Sequence, residues 1–225
     1  RGPQRVQGTP LPEPLLKTKL HRPRLGADLI CRRRLLELMH GSITTPLTVV
    51  SAPAGYGKSV LVNQWAEQHS EPVAWLSLDE NDGDLRTFLA YLVAAVAAVA
   101  ASSCPMTRKL VQAATLPPVQ VLSAHLVNEL DAIAGPITIV LDDYHHLHRA
   151  SPVHDLVSLL LEHPPAGLHL VIITRRDPPL AVGRYRASAR VLEIRRRDLR
   201  FTTVEIQEFL AASAGIEIDH AQLTR

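Results

Sequence analysis

The octapeptide Ala52-Pro-Ala-Gly-Tyr-Gly-Lys-Ser59 carries the densest chemical signal in the sequence. It keeps the spacing G-x-x-x-x-G-K-[ST] of a phosphate-binding loop, with Ala52 standing where the first glycine would be. Gly55 and Gly57 permit backbone angles, and a close approach, that a Cβ would obstruct. Pro53 and Ala54 lead from the strand to Gly55, Tyr56 separates the two glycines, and the main-chain amides of the loop can curl around phosphate oxygens. Lys58 is spaced to reach β- and γ-phosphates, and the Ser59 hydroxyl to bind Mg²⁺. Ala52 lies where the chain leaves a strand, and a methyl is tolerated there if φ stays negative.

A magnesium–nucleotide site also needs a carboxylate at the end of a neighbouring buried strand. Asp142 and Asp143 follow five apolar or β-branched positions directly, and carboxylates there are costly unless they meet a cation. Asp142 is the candidate Mg²⁺ partner, through water, and Asp143 the candidate to orient an attacking water. The alternative is a pair that caps the following loop. Arg175 and Arg176 follow another apolar run, at the carboxyl edge where open parallel sheets bind ligands. Arg175, nearer the strand end, is the better placed to sense a γ-phosphate; a surface turn is the alternative. His145, His146, His148 and His154 crowd one stretch. No cysteine or compact carboxylate set completes a transition-metal site in that stretch, so no metal besides magnesium is expected.

The elements that must hold these groups follow from periodicity. Short apolar runs predict strands over 46–52, 72–78, 137–143, 168–174 and 190–194. Helical spacing covers 58–69, 84–101, 119–134, 152–163 and 203–214, with Asp82 or Asp84 capping the second of these and Thr203 the last. Strands alternating with helices imply right-handed crossovers and a parallel sheet of about five strands, with helices on both faces. The phosphate loop is then where the physics requires it, between a buried strand and a helix that starts at Lys58.

The 225 residues include 24 basic and 22 acidic side chains, a net charge of +2. This balance singles out neither nucleic acid nor membrane as a partner. Two cysteines, Cys31 and Cys104, sit far apart, which fits a reducing cytoplasm rather than a disulfide framework. The apolar run 88–101 is too short and alanine-rich to span a bilayer. Residues 1–14 are Pro-rich and polar and are expected to be linker. The absence of an initiating methionine and an abrupt close at 225 suggest a piece of a longer protein.

Taken together, the motifs resemble the nucleotide-binding oligomerisation domain of MalT-like signal-transduction ATPases, large LuxR-type bacterial transcription regulators. The resemblance runs from about Leu15 and rests on LLKTKLHRPR, ICRRRLLELM, SAPAGYGKS, VAWLSLDENDGD, IVLDDYHHL, IITRRDPPL, RYRA and EIRRRDLRFTTVEIQEFL. It implies an α/β P-loop NTPase of the AAA+/STAND type over 15–200, then the start of a helical subdomain over 201–225. The family loop commonly reads A/S-P-A-G-Y-G-K-T, so Ala52 belongs to its pattern and Ser59 keeps the hydroxyl. It further implies ATP and ADP as ligands, Arg32 near the nucleotide, Asp142 and Asp143 as the acidic pair, and Arg175 as the arginine after the fourth strand. In such proteins ATP favours a self-associating state, and DNA is contacted by a separate domain that this chain does not include. The same module attached to a kinase or another effector, or a small-molecule phosphotransferase, is the alternative.

Overall fold

The protein is described by a computed structural model covering residues 14–24, 26 and 30–214, with the side chains of 208 and 211–214 left aside. Most of the expected linker (1–13) and the end of the expected helical portion (215–225) lie outside the described residues.

Five strands form one fully parallel sheet: β1 (Leu47–Ser51), β2 (Val73–Ser77), β3 (Ile137–Asp142), β4 (Leu168–Thr174) and β5 (Val191–Arg195). Their order across the sheet is β2-β3-β4-β1-β5. Every residue of β1, β3 and β4 is buried, which explains why these runs are apolar without alternation. In register, Val49 sits beside Ile172 and Glu193, and Leu141 beside Leu76 and Ile172.

Alternate side chains still serve different layers. Leu47, Val49, Leu76, Ile139, Leu141, Leu170 and Ile172 face one core. That core is shared with α3 (Leu85–Val99), α4 (Pro105–Gln112), α5 (Val119–Asp131) and α6 (Val153–Glu162). Val50, Trp75, Val140, Val171, Ile173 and Ile194 face the other, against α1 (Arg33–Gly41) and α2 (Lys58–Gln68). Trp65 of α2 is fully buried there. A short helix, α7 (Val182–Ala187), precedes β5, and α8 (Thr203–Ala214) closes the described chain.

Helix boundaries follow local chemistry. Asp84 caps α3, its carboxylate accepting from the Thr87 N–H at 2.9 Å and the Thr87 hydroxyl at 3.0 Å. Asp82, the other candidate, instead closes a capping box with Asp79 around a 3₁₀ turn, Glu80–Gly83. Asp84→Ala is therefore expected to lower stability by about 0.5–2 kcal/mol, read as a shift in the urea midpoint at unchanged slope. The cap of α8 is Thr202, not Thr203: its hydroxyl accepts from the Glu205 N–H, and Glu205 returns the bond to the Thr202 N–H at 2.8 Å. That reciprocal pair satisfies two orphan donors, which a cap one residue later could not do.

Before α1, the segment around a 3₁₀ turn, Lys17–Leu20, is strapped across the domain. Leu16 donates its N–H to Tyr91 Oη at 3.2 Å, and Lys19 pairs with Asp79 at 3.0 Å and with fully buried Asp82. Arg22 donates to Ala66 O at 3.2 Å, and Asn63 to Pro23 O. Among the described residues, no helix is long and apolar enough to cross a membrane.

Candidate functional site

At the carboxyl edge of the sheet, β1 delivers the chain into the loop 52–57 and α2 begins at Lys58. Ala52 is buried and still donates to Thr174 O at 3.3 Å, extending the β1–β4 ladder. It is not among the residues with positive φ, so its methyl causes no strain. Gly55 and Gly57 do have positive φ, +82° and +72°, and a Cβ built on either would project into open space. The two glycines thus turn the amides of the loop around an open cradle at a helix N-terminus, where the helix dipole favours an anion. Pro53, Ala54 and Gly55 are exposed along its rim.

The charged groups converge on that cradle. Lys58 donates its ammonium to Pro53 O at 2.9 Å. Its pKa is lowered by burial and then by the Arg175 charge, against the pull of Asp143 and Asp142. A lysine crowded by burial and a second cation is a place short of negative charge. Ser59 donates its hydroxyl to Asp142 Oδ1 at 3.0 Å, across 83 residues of sequence. Burial, and then the Asp143 charge, pushes the Asp142 carboxyl up to about 6, against the Ser59 bond. An oxygen-rich pair at the mouth of an amide cradle suits a hard dication such as Mg²⁺, which binds through one or two carboxylates and keeps several waters.

β4 lies between β1 and β3, so Arg175 emerges between the phosphate loop and the acidic pair. Arg175 is exposed. Arg176 is engaged by the neighbouring turn, donating to His145 O at 2.8 Å. Asp143 takes a left-handed conformation, φ 57° and ψ 35°, and donates its N–H to Asp142 Oδ1 at 2.9 Å. Its own carboxylate is part-exposed and stands 3.7 Å from His145 Nδ1.

A recess of about 320 Å³ adjoins the cradle, lined by Ile30, Arg32, Tyr56, Val60, Leu199 and Phe201, among others. Arg32 caps one wall: buried, it donates to Arg200 O at 3.1 Å, pairs with Glu205 at 3.5 Å and lies 4.8 Å above the Phe201 ring. Phe201 in turn stacks on Phe209 at 6.2 Å. Arg196 holds Tyr56 by a 2.9 Å bond to its hydroxyl. Phe201 and Phe209 were not singled out from the sequence. Their signal was an aromatic pair eight residues apart beyond the last strand, which only folding brings to the loop. A larger concavity, about 1010 Å³, lies among the 3₁₀ turn at Lys17–Leu20, α3 and α4, but it holds none of the cradle residues.

The AAA ATPase domain family matches residues 29–173, from the segment before α1 through β4. The chain belongs to the AAA ATPase domain family. The chain is 33% identical over 211 residues to the HTH-type transcriptional regulator MalT of Yersinia enterocolitica, covering 94% of this chain and 23% of the relative. The MalT regulator of Cronobacter sakazakii is 34% identical over the same span. These curated relatives match the MalT-like resemblance of the motifs, and the chain spans about a quarter of their length. Among solved structures, a signal transduction ATPase with numerous domains from Pyrococcus horikoshii, with a tetratricopeptide repeat sensor, superposes with a TM-score of 0.61. It shares 14% identity, over 91% of this chain and 28% of its own. Cdc6p from Pyrobaculum aerophilum gives a TM-score of 0.50 at 14% identity, over 88% and 53%. The shared fold is the P-loop, AAA-type parallel sheet covered by helices.

Proposed function

We propose that this AAA ATPase domain is the ATP-binding, slowly hydrolysing switch module of a MalT-like transcription regulator. The observation that carries the reading is the convergence of an open glycine cradle, Lys58 and the Ser59–Asp142 pair at one sheet edge. In it, the loop 52–59 grips the triphosphate, Ser59 and Asp142 hold Mg²⁺, and Lys58 neutralises the β- and γ-phosphates. The metal supplies charge neutralisation between the phosphates. Asp143 orients the attacking water and Arg175 senses the terminal phosphate, so hydrolysis changes what these two residues touch.

The adjoining recess suits a flat base: half-exposed Phe201 offers ring surface, and the lining continues into Gly55 and Gly57 of the phosphate cradle. Because Phe209 of α8 lines the recess beside Gly55 and Gly57, a nucleotide seated there touches both the phosphate loop and the closing helix. ATP and ADP then shift the balance of two arrangements through their different affinities for each. Self-association in the ATP state, and DNA contact by another part of the parent protein, complete the proposal.

Calorimetric titration of the magnesium-loaded domain with ATP tests it: one-to-one uptake is expected, and no heat at any concentration would refute it. Light scattering of the whole parent protein with ATP and with ADP tests the self-association. Phe201→Ala is expected to weaken ATP by about 0.5–1.5 kcal/mol, the worth of one aromatic stacking contact, while inorganic triphosphate binding stays unchanged.

A further inference from the structure

The histidine-rich turn after β3 gathers a second group of ligands beside the phosphate cradle. Asp143, His145 and His146 each offer one donor atom, and the three atoms lie within 4.8 Å of one another. The sequence showed no compact carboxylate set in this stretch; the left-handed backbone at Asp143 and the 3₁₀ turn Tyr144–His146 instead bring one carboxylate to two imidazoles. Tyr144 points the opposite way, 1% exposed, with its hydroxyl 2.8 Å from His154 Nδ1. His154 also meets His148 O at 3.0 Å, and His148 Nδ1 accepts from the Ala150 N–H at 3.2 Å. Those two histidines are thereby engaged, and His145 and His146 stand together with ring centroids 4.4 Å apart.

The telling feature is His145. Its side chain is only 11% exposed, and both ring nitrogens are buried without a hydrogen-bond partner among the described residues. Buried polar atoms of this kind are rare and cost free energy unless something satisfies them. The Nδ1 atom stands 3.7 Å from Asp143 Oδ1, too far for a hydrogen bond. It is close to the ligand–ligand edge of a tetrahedral zinc site, roughly 3.4 Å for metal bonds of about 2.0–2.1 Å.

We propose that Asp143, His145 and His146 bind a first-row transition-metal dication such as Zn²⁺, with water in the fourth position. Two imidazoles and one carboxylate suit such an ion, whereas Mg²⁺ prefers an all-oxygen set like that of Ser59 and Asp142. The site is separate from the magnesium position and does not depend on the nucleotide reading. If that reading holds as well, an occupied site ties up the Asp143 carboxylate and stops it orienting water, so the ion acts as a brake on hydrolysis.

The test uses untagged, nucleotide-free protein and Co²⁺, whose visible d–d bands report a tetrahedral imidazole–carboxylate environment. One-to-one binding is expected, with Zn²⁺ displacing the cobalt spectrum. His146→Ala, at the part-exposed surface of the turn, is expected to weaken Co²⁺ by roughly 10- to 100-fold or more, since even groups behind the ligands are worth that much. His145→Ala should do the same, with circular dichroism reporting whether each variant is folded. His163→Ala, exposed and at the end of α6, should leave the titration unchanged. A missing saturable spectrum, one that persists unaltered in folded His146→Ala, or one lost equally in His163→Ala, would overturn the site.

Discussion

Lys58→Ala is expected to weaken ATP binding roughly 10- to 150-fold, the equivalent of about 1.5–3 kcal/mol for one charge-assisted hydrogen bond. The lysine starts α2 and is 8% exposed, with its ammonium parked on Pro53 O. Bound triphosphate replaces that single carbonyl with several charged oxygens, so the loss on truncation falls on the complex far more than on the free protein. In the free protein the truncation removes one bond to a carbonyl, worth about 0.5–1.5 kcal/mol, so the thermal midpoint should move by only a few degrees. Calorimetric titration and a melting curve on the same preparation separate the two effects. Undiminished ATP uptake in the variant would remove Lys58 from the phosphate site.

Asp143→Asn has the largest expected effect on turnover. A positioned base contributes about 10²–10⁴-fold to a rate, and the amide cannot accept the water proton. ATP hydrolysis should fall by roughly that factor, measured as phosphate release in single-turnover conditions, while ATP affinity stays near that of the unaltered protein. The substitution is nearly isosteric, and the backbone N–H of residue 143 still reaches Asp142 Oδ1. Asparagine also tolerates the left-handed angles found there. Unchanged turnover would release Asp143 from the role, and lost affinity would mean that it holds the metal instead.

Much of this domain was legible because its central strands are buried on both faces. Ile137–Asp142 and Leu168–Thr174 read as near-unbroken apolar runs, and their boundaries in the structure agree with those runs to within a residue. The phosphate loop was equally plain, since two glycines at positive φ ahead of a lysine that starts a helix leave the loop amides free to face an anion. Three helices were not foreseen. α1 opens on two arginines, Arg33 and Arg34, and has only Leu35, Leu36 and Met39 buried, so its apolar stripe is narrow. α4 begins at a proline and buries only Thr107 and Val111, and its first turn is held from afar by Glu129, which accepts from the Thr107 N–H at 2.9 Å. α7 has six residues, too few for a period to show. The base-sized recess and the His145 cluster were hidden for a different reason. The recess depends on which elements become neighbours, Arg32 meeting Arg200 across 168 residues, and the cluster depends on a left-handed backbone at Asp143 that the residue types do not announce.

The strap that crosses the domain before α1 has a practical corollary. β2 is a terminal strand of the sheet, and the turn at Lys17–Leu20 packs over it, anchored by the Lys19 pairs. A shortened version begun near residue 30, as a phosphate-loop-centred design would suggest, uncovers that ribbon and strands the Asp82 carboxylate without its cation. Such a product should clump through strand-to-strand contact, so an insoluble truncation would say nothing against nucleotide binding.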